Sequence, residues 1–130
     1  MMATLSFRID LTSGARLGPG KRQLLQLIDE LGSISAAGRA MKMSYRRAWL
    51  LVEEVNASFD HPLVEKAPGG AGGGGAALTP AGRSVLHCLD ELDQAVGTAA
   101  ATALAQLDGL TQSGAEAKKK AGVKGAGRSG

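Results

Sequence analysis

The chain has 130 residues, of which 44% are hydrophobic but only four are aromatic (Phe7, Tyr45, Trp49, Phe59). That length suits one domain with tails, and an interior built from Leu, Val, Ile, Met and Ala favours helices over a sandwich of sheets. The formal net charge of +3 is unevenly divided: residues 116–130 hold five cations and one acid, while residues 1–115 hold ten cations and eleven acids.

Residues 4–11, TLSFRIDL, alternate apolar Leu5, Phe7, Ile9 and Leu11 with polar neighbours, the period-2 pattern of a half-buried strand. SGARLGPG then breaks the pattern. From Gly20 to Leu31, GKRQLLQLIDEL sets Leu24, Leu27, Ile28 and Leu31 at helical spacing, and Gly32 marks the stop.

A second, short helix is predicted to start at a Ser33 or Ser35 cap and to run through Met41, with Ala36, Ala37, Ala40 and Met41 facing inward. Lys42 and Met43 form a corner, and Ser44 caps a third helix that reaches about Phe59. On that helix Ala48, Leu51, Val52, Val55 and Phe59 share a stripe about 100° wide, as a core-facing helix requires. Arg46, Arg47, Leu50, Glu53 and Glu54 lie opposite.

After His61-Pro62, the segment 63–66 (LVEK) is predicted as a short strand. Six glycines follow between Gly69 and Gly75, and Leu78 belongs to a return strand, which together make a β-hairpin with a long tip. A glycine-rich phosphate cradle is disfavoured, because no G-K-[ST] follows and the loop does not open into a helix with a suitably placed Lys. Thr79-Pro80 starts a long helix, through about Leu107, with Val85, Leu86, Leu89, Leu92, Val96, Ala99, Ala103 and Leu107 along one side. So long a stripe calls for a second subunit, and Val85, Leu86, Leu89, Leu92 and Val96 are the expected dimer interface. Domain 1–110 is thus followed by a basic, low-complexity stretch, 111–130, expected to be disordered.

The order strand, helix, helix, helix, hairpin, long helix is that of a winged helix-turn-helix domain, a mainly α fold with a small β-hairpin and a long C-terminal dimerisation helix. In such a domain the second helix of the motif enters the DNA major groove by its N-terminal end. Ser44, Tyr45, Arg46 and Arg47 occupy that first turn and are candidates for base or phosphate contact; Ser35, Arg39, Lys42 and Lys66 are candidates for phosphate. The bland alternative is that Arg46 and Arg47 form a solvated face pairing with Glu53 or Glu54. Trp49 is expected to pack under the hairpin or against the first helix.

The run GKRQLLQLIDELGSISAAGRAMKMSYRRAWLLVEEVN, with PLVEKAPGG and LTPAGRSVL after it, resembles the DNA-binding domain of the ModE-type molybdate-responsive transcription regulators, and more distantly the helix-turn-helix of LysR-type regulators. The likeness covers about residues 20–90. It places the helix-turn-helix on Ser33–Asn56 and the wing on Leu63–Leu78, and it implies a homodimer on a palindromic operator. Full-length members of that family carry β-barrel domains that bind molybdate. Nothing after Leu110 has the pattern of such a barrel, so neither molybdate binding nor any other cofactor is expected of this chain.

Two other functions stand beside a sequence-specific, dimeric transcription regulator whose recognition helices would sit about 34 Å apart. One is a nonspecific architectural DNA binder that uses Lys66, the wing and the KKKAGVK stretch. The other is a protein-interaction module that has kept the fold without the DNA. An enzyme is not expected: His61 and His87 stand apart, and adjacent His87 and Cys88 point about 100° from one another on a helix, a poor geometry for a nucleophile and its base. Cys88 is the single cysteine, so no intrachain disulfide can form and a cysteine zinc site is disfavoured; it is expected as a buried interface thiol. No metal site, secretion signal or membrane span is legible, and a cytoplasmic setting is expected.

Overall fold

A computed structural model describes residues 2–68 and 75–111. Residues 6–93 form one compact unit, and residues 2–5 with 94–111 form another. The elements run β1 (Ile9–Asp10), β2 (Arg16–Leu17), α1 (Pro19–Leu31), α2 (Ile34–Ala40), α3 (Tyr45–Ala57), β3 (Val64–Ala67), β4 (Gly75–Leu78) and α4 (Pro80–Leu110). This is the winged helix-turn-helix order, with a long final helix.

The N-terminal strand is much shorter than its alternation predicts. Only Ile9 and Asp10 pair, antiparallel, with Leu17 and Arg16, and Leu5 is 44% exposed. Alternation alone does not make a strand; a partner must donate and accept the ladder bonds, and the SGARLGPG segment supplies one only at Arg16 and Leu17.

Helix α1 begins with Pro at its first turn and ends on Gly32 in the left-handed region, φ 70°, whose N–H bonds back to the Ile28 carbonyl. Its buried residues are Leu24, Leu25 and Ile28, while Leu31, expected inside, is 39% exposed. The face is shifted because α1 packs on α2 and α3 and also on β4; the Ala76 N–H donates to the Gly32 carbonyl at 3.0 Å, fastening the hairpin to the helix end.

The core gathers Leu24, Leu25, Ile28, Ile34, Ala37, Ala48, Val52, Val55, Leu63, Val64, Ala76 and Leu78, with Trp49, Phe59, Val85 and Leu86 packed at its margin. Of the residues expected inside on α2, Ala37 is buried and Ala40 is exposed, and Ile34 and Gly38 join Ala37 on the buried side. Strands β3 and β4 pair antiparallel from Val64↔Leu78 to Ala67↔Gly75. The glycine tip 69–74 and the stretch 112–130 lie outside the described residues.

Helix α4 starts as predicted. The Thr79 hydroxyl accepts from the Gly82 N–H at 3.0 Å and donates to the Pro62 carbonyl at 2.7 Å, so one side chain caps the helix and holds the segment before β3. Three ionic contacts, Arg22 with Asp90 at 2.8 Å and with Asp93 at 3.5 Å, and Arg83 with Asp29 at 3.0 Å, tie its first half to α1.

Candidate nucleic-acid interface

The geometry of the helix-turn-helix follows from small residues at the crossing. Gly38 is buried on α2, and a Cβ placed on it would stand 3.0 Å from the Ala48 Cβ of α3, so the two small residues let the helices cross at close contact. Ser33 caps α2 by accepting from the Ala36 N–H at 3.0 Å. Between the helices Lys42 turns the chain with φ 58°, an uncommon region for a residue with a side chain, and the Met43 N–H returns to the Gly38 carbonyl at 3.0 Å.

Ser44 then caps α3, accepting from the Arg47 N–H at 3.1 Å. Its hydroxyl therefore has a structural duty besides any contact with DNA. The next three residues, Tyr45, Arg46 and Arg47, are exposed on the first turn, as are Arg39 and Lys42 beside them. The Arg39 guanidinium donates to the Ser35 hydroxyl at 2.9 Å, bringing two of the phosphate candidates together. Lys66 is exposed on β3.

Asn56 holds the wing in place. Its side-chain carbonyl accepts from the N–H groups of Leu63 and Val64 at 2.8 and 3.0 Å, and its amide donates to the Val64 carbonyl at 3.2 Å. Sequence reasoning passed over it, although a signal was present: Asn56 follows Val52 by one turn, and a polar side chain at the edge of a buried stripe requires a partner. Between α3 and the wing runs a groove of about 760 Å³, walled by Tyr45, Trp49 and Val52 on one side and Lys66, Ala67 and Ala76 on the other.

The cations divide into two sets. Arg8 and Arg16 contact Asp10, Lys21 contacts Glu54, Arg22 contacts Asp90 and Asp93, and Arg83 contacts Asp29. Among the described residues, the five cations left without such a contact are Arg39, Lys42, Arg46, Arg47 and Lys66, all on the helix-turn-helix or the wing. The alternative pairing of Arg46 and Arg47 with Glu53 or Glu54 does not form; Glu54 reaches Lys21 at 3.0 Å instead. A body with a near-neutral total thus presents its uncompensated positive charge on one motif.

Part of the expected dimer stripe is already covered within the single chain. Leu89 is only 5% exposed in the single chain, and Val85 and Leu86 pack against the chain's own core, so these three already have cover. Leu92 is 42% exposed, and Val96 is half-buried. In the second unit Leu107 and Leu110 are 59% and 81% exposed. Cys88, expected to be buried, is exposed, and His87 lies 3.5 Å from Glu91 rather than with the cysteine. Among the described residues no group of three metal-ligating side chains gathers, and no helix is long and apolar enough to cross a membrane.

No family model matches the chain. Among curated proteins it is 43% identical over 84 residues to the molybdenum-pterin-binding protein MopB of Rhodobacter capsulatus, a match covering 65% of this chain and 31% of that protein. It is 34% identical over 121 residues to MopA of the same organism, covering 93% of this chain and 42% of the relative. The DNA-binding transcriptional dual regulator ModE of Escherichia coli is 37% identical over 94 residues, covering 72% of this chain and 36% of the regulator. The chain thus matches less than half the length of each of these relatives, and within that stretch it is homologous to the ModE-type transcriptional regulators and to the molybdenum-pterin-binding Mop proteins.

Proposed function

We propose that this chain is the DNA-binding part of a transcription regulator, acting on duplex DNA as a homodimer, with sequence preference, in the cytoplasm of a bacterium. The observation that carries the proposal is the division of the cations: those of the scaffold face carboxylates, whereas Arg39, Lys42, Arg46, Arg47 and Lys66 face none among the described residues. Phosphate contacts need cations whose charge is not already compensated. The homology to the DNA-binding regulator ModE agrees with it.

In this proposal Arg46 and Arg47, on the first turn of α3, reach base edges, where an arginine pairs with guanine O6 and N7. Ser35, Arg39, Lys42 and Lys66 flank them and engage phosphates, which set register without reading sequence. Ser44 and Tyr45 contribute at the same helix end. The homodimer forms through α4 side chains that the single chain leaves open, among them Leu92. No catalytic or cofactor chemistry is assigned to these residues, and molybdate is expected to leave their DNA contacts unchanged.

A nonspecific architectural role is the second reading, favoured by the five cations and single acid of residues 116–130. The test is selection of duplexes from a random pool by the full chain, followed by anisotropy titrations of the selected duplex and a scrambled one, across salt and with or without molybdate. A preference of about a thousandfold or more supports sequence reading. Equal, steeply salt-dependent binding favours the architectural role, and no binding to either duplex refutes both.

A further inference from the structure

Tyr45 and Trp49 stand one turn apart on α3, and the contact between them differs from ordinary side-chain packing. The Trp49 indole N–H donates to the Tyr45 hydroxyl. The two rings meet edge to face, with centroids 6.3 Å apart and planes at 80°. Trp49 is half-buried against the core, whereas Tyr45 is 57% exposed. A side chain fixed by packing thus holds one that faces out from the first turn of the helix.

The direction of this hydrogen bond decides what Tyr45 has left to offer. A phenolic hydroxyl has one proton to give and oxygen lone pairs to receive with. Here the oxygen receives from the indole, and the hydroxyl proton meets no acceptor among the described residues. Accepting one bond polarises the O–H and strengthens it as a donor. Holding the ring in place also reduces the rotamer entropy lost when a ligand binds.

We propose that Trp49 is a positioning residue that sets the Tyr45 hydroxyl as a dedicated hydrogen-bond donor to an acceptor atom of DNA. The proposal rests on the DNA-binding function proposed above. The matching acceptors are purine N7, guanine O6 and thymine O4 on base edges, and the phosphate oxygens. The amino groups of cytosine and adenine are donors and offer the hydroxyl proton nothing. Tyr45 would thereby add a polarity requirement to whatever Arg46 and Arg47 select.

The test uses the full chain, the pool-selected duplex and its scrambled counterpart, with Tyr45→Phe, Trp49→Phe and the double variant. Tyr45→Phe should weaken binding about fivefold, the effect of one ordinary hydrogen bond. Trp49→Phe, which keeps an aromatic ring but removes the N–H, should weaken binding of the wild-type background and have no further effect in the Tyr45→Phe background. A loss confined to the selected duplex assigns the acceptor to a base, and an equal loss on both assigns it to phosphate; either supports the proposal. Undiminished binding by Tyr45→Phe, or the same Trp49→Phe loss in both backgrounds, overturns it.

Trp49 is the only tryptophan of the chain, so its emission reads the contact without DNA. Removing the phenolic oxygen in Tyr45→Phe should move the emission maximum, and an unmoved maximum overturns the proposal even where Trp49→Phe folds poorly. Failure of wild-type binding to any duplex would instead bring down the DNA-binding function itself, together with this inference.

Discussion

Gly82 and Leu63 are packed so closely that a Cβ on Gly82 would stand 2.1 Å from the Leu63 carbonyl oxygen. That same oxygen accepts from the Thr79 N–H at 2.9 Å. The first turn of α4 is thus seated directly on the backbone that leads into β3, and the wing and α4 cannot move independently there.

Gly82→Ala should therefore destabilise residues 6–93 by about 2 kcal/mol or more, since the obstacle is backbone rather than a side chain that can swing away. An alanine in a helix is otherwise favourable by about 1 kcal/mol over glycine, so the sign of the result is informative. Thermal unfolding of the two proteins measures it, and an unchanged or raised midpoint would show that α4 can shift off Leu63.

Asn56 gives a second handle on the wing. Replacing it with Leu keeps the branched shape and the number of heavy atoms but strips the partners from the Leu63 and Val64 N–H groups. Stability should fall by about 1–3 kcal/mol, the cost of stranding partly buried donors. If Lys66 meets phosphate from a wing fixed in this way, Asn56→Leu should also weaken DNA binding under conditions where the variant remains folded. Urea unfolding and anisotropy on the same samples separate the two effects.

Arg46→Ala and Arg47→Ala should each cost about 1–3 kcal/mol on the selected duplex and much less on a scrambled one. Neither substitution disturbs the Ser44 cap, because the cap is made to the Arg47 backbone, and neither arginine has a carboxylate partner among the described residues to strand. Equal losses on every duplex would confine both arginines to phosphate.

Deleting residues 116–130 removes five lysines and arginines. If all five cations meet DNA, the slope of log affinity against log salt should become shallower by about 4.5, since each neutralised phosphate contributes about 0.9. Binding to all duplexes should weaken together. A slope equal to that of the full chain would leave the stretch without a part in DNA binding.

Much of the fold was legible because its signals were local. Ser33, Ser44 and Thr79 cap the three helices they precede, Gly32 ends α1 in the left-handed region, and the α3 stripe of Ala48, Val52 and Val55 is buried. The misreadings came where burial depends on what a segment meets. Leu5 alternates like a strand residue without a partner, and Leu25 rather than Leu31 faces inward because β4 packs beside α1. For the interface, the sequence pointed to a cluster of basic residues, but the charge compensation that sets it apart joins residues distant in the chain, such as Lys21 with Glu54 and Arg22 with Asp90. No local pattern encodes those pairs.

The proposed homodimer calls for a substitution that the single chain can tolerate. Leu89→Glu would bury a carboxylate at a position only 5% exposed within one chain, so loss of the dimer and loss of the fold would be confounded. Leu92 is 42% exposed, and a glutamate there leaves the chain's own core intact. Leu92→Glu should therefore yield a folded monomer, with an unchanged far-ultraviolet circular dichroism spectrum and half the mass by sedimentation equilibrium. It should also weaken binding to a palindromic duplex far more than binding to a half-site, because only the palindrome engages two recognition helices at once. A variant that keeps the dimer mass would place the subunit contact elsewhere, with Leu107 and Leu110 of the second unit next to be substituted.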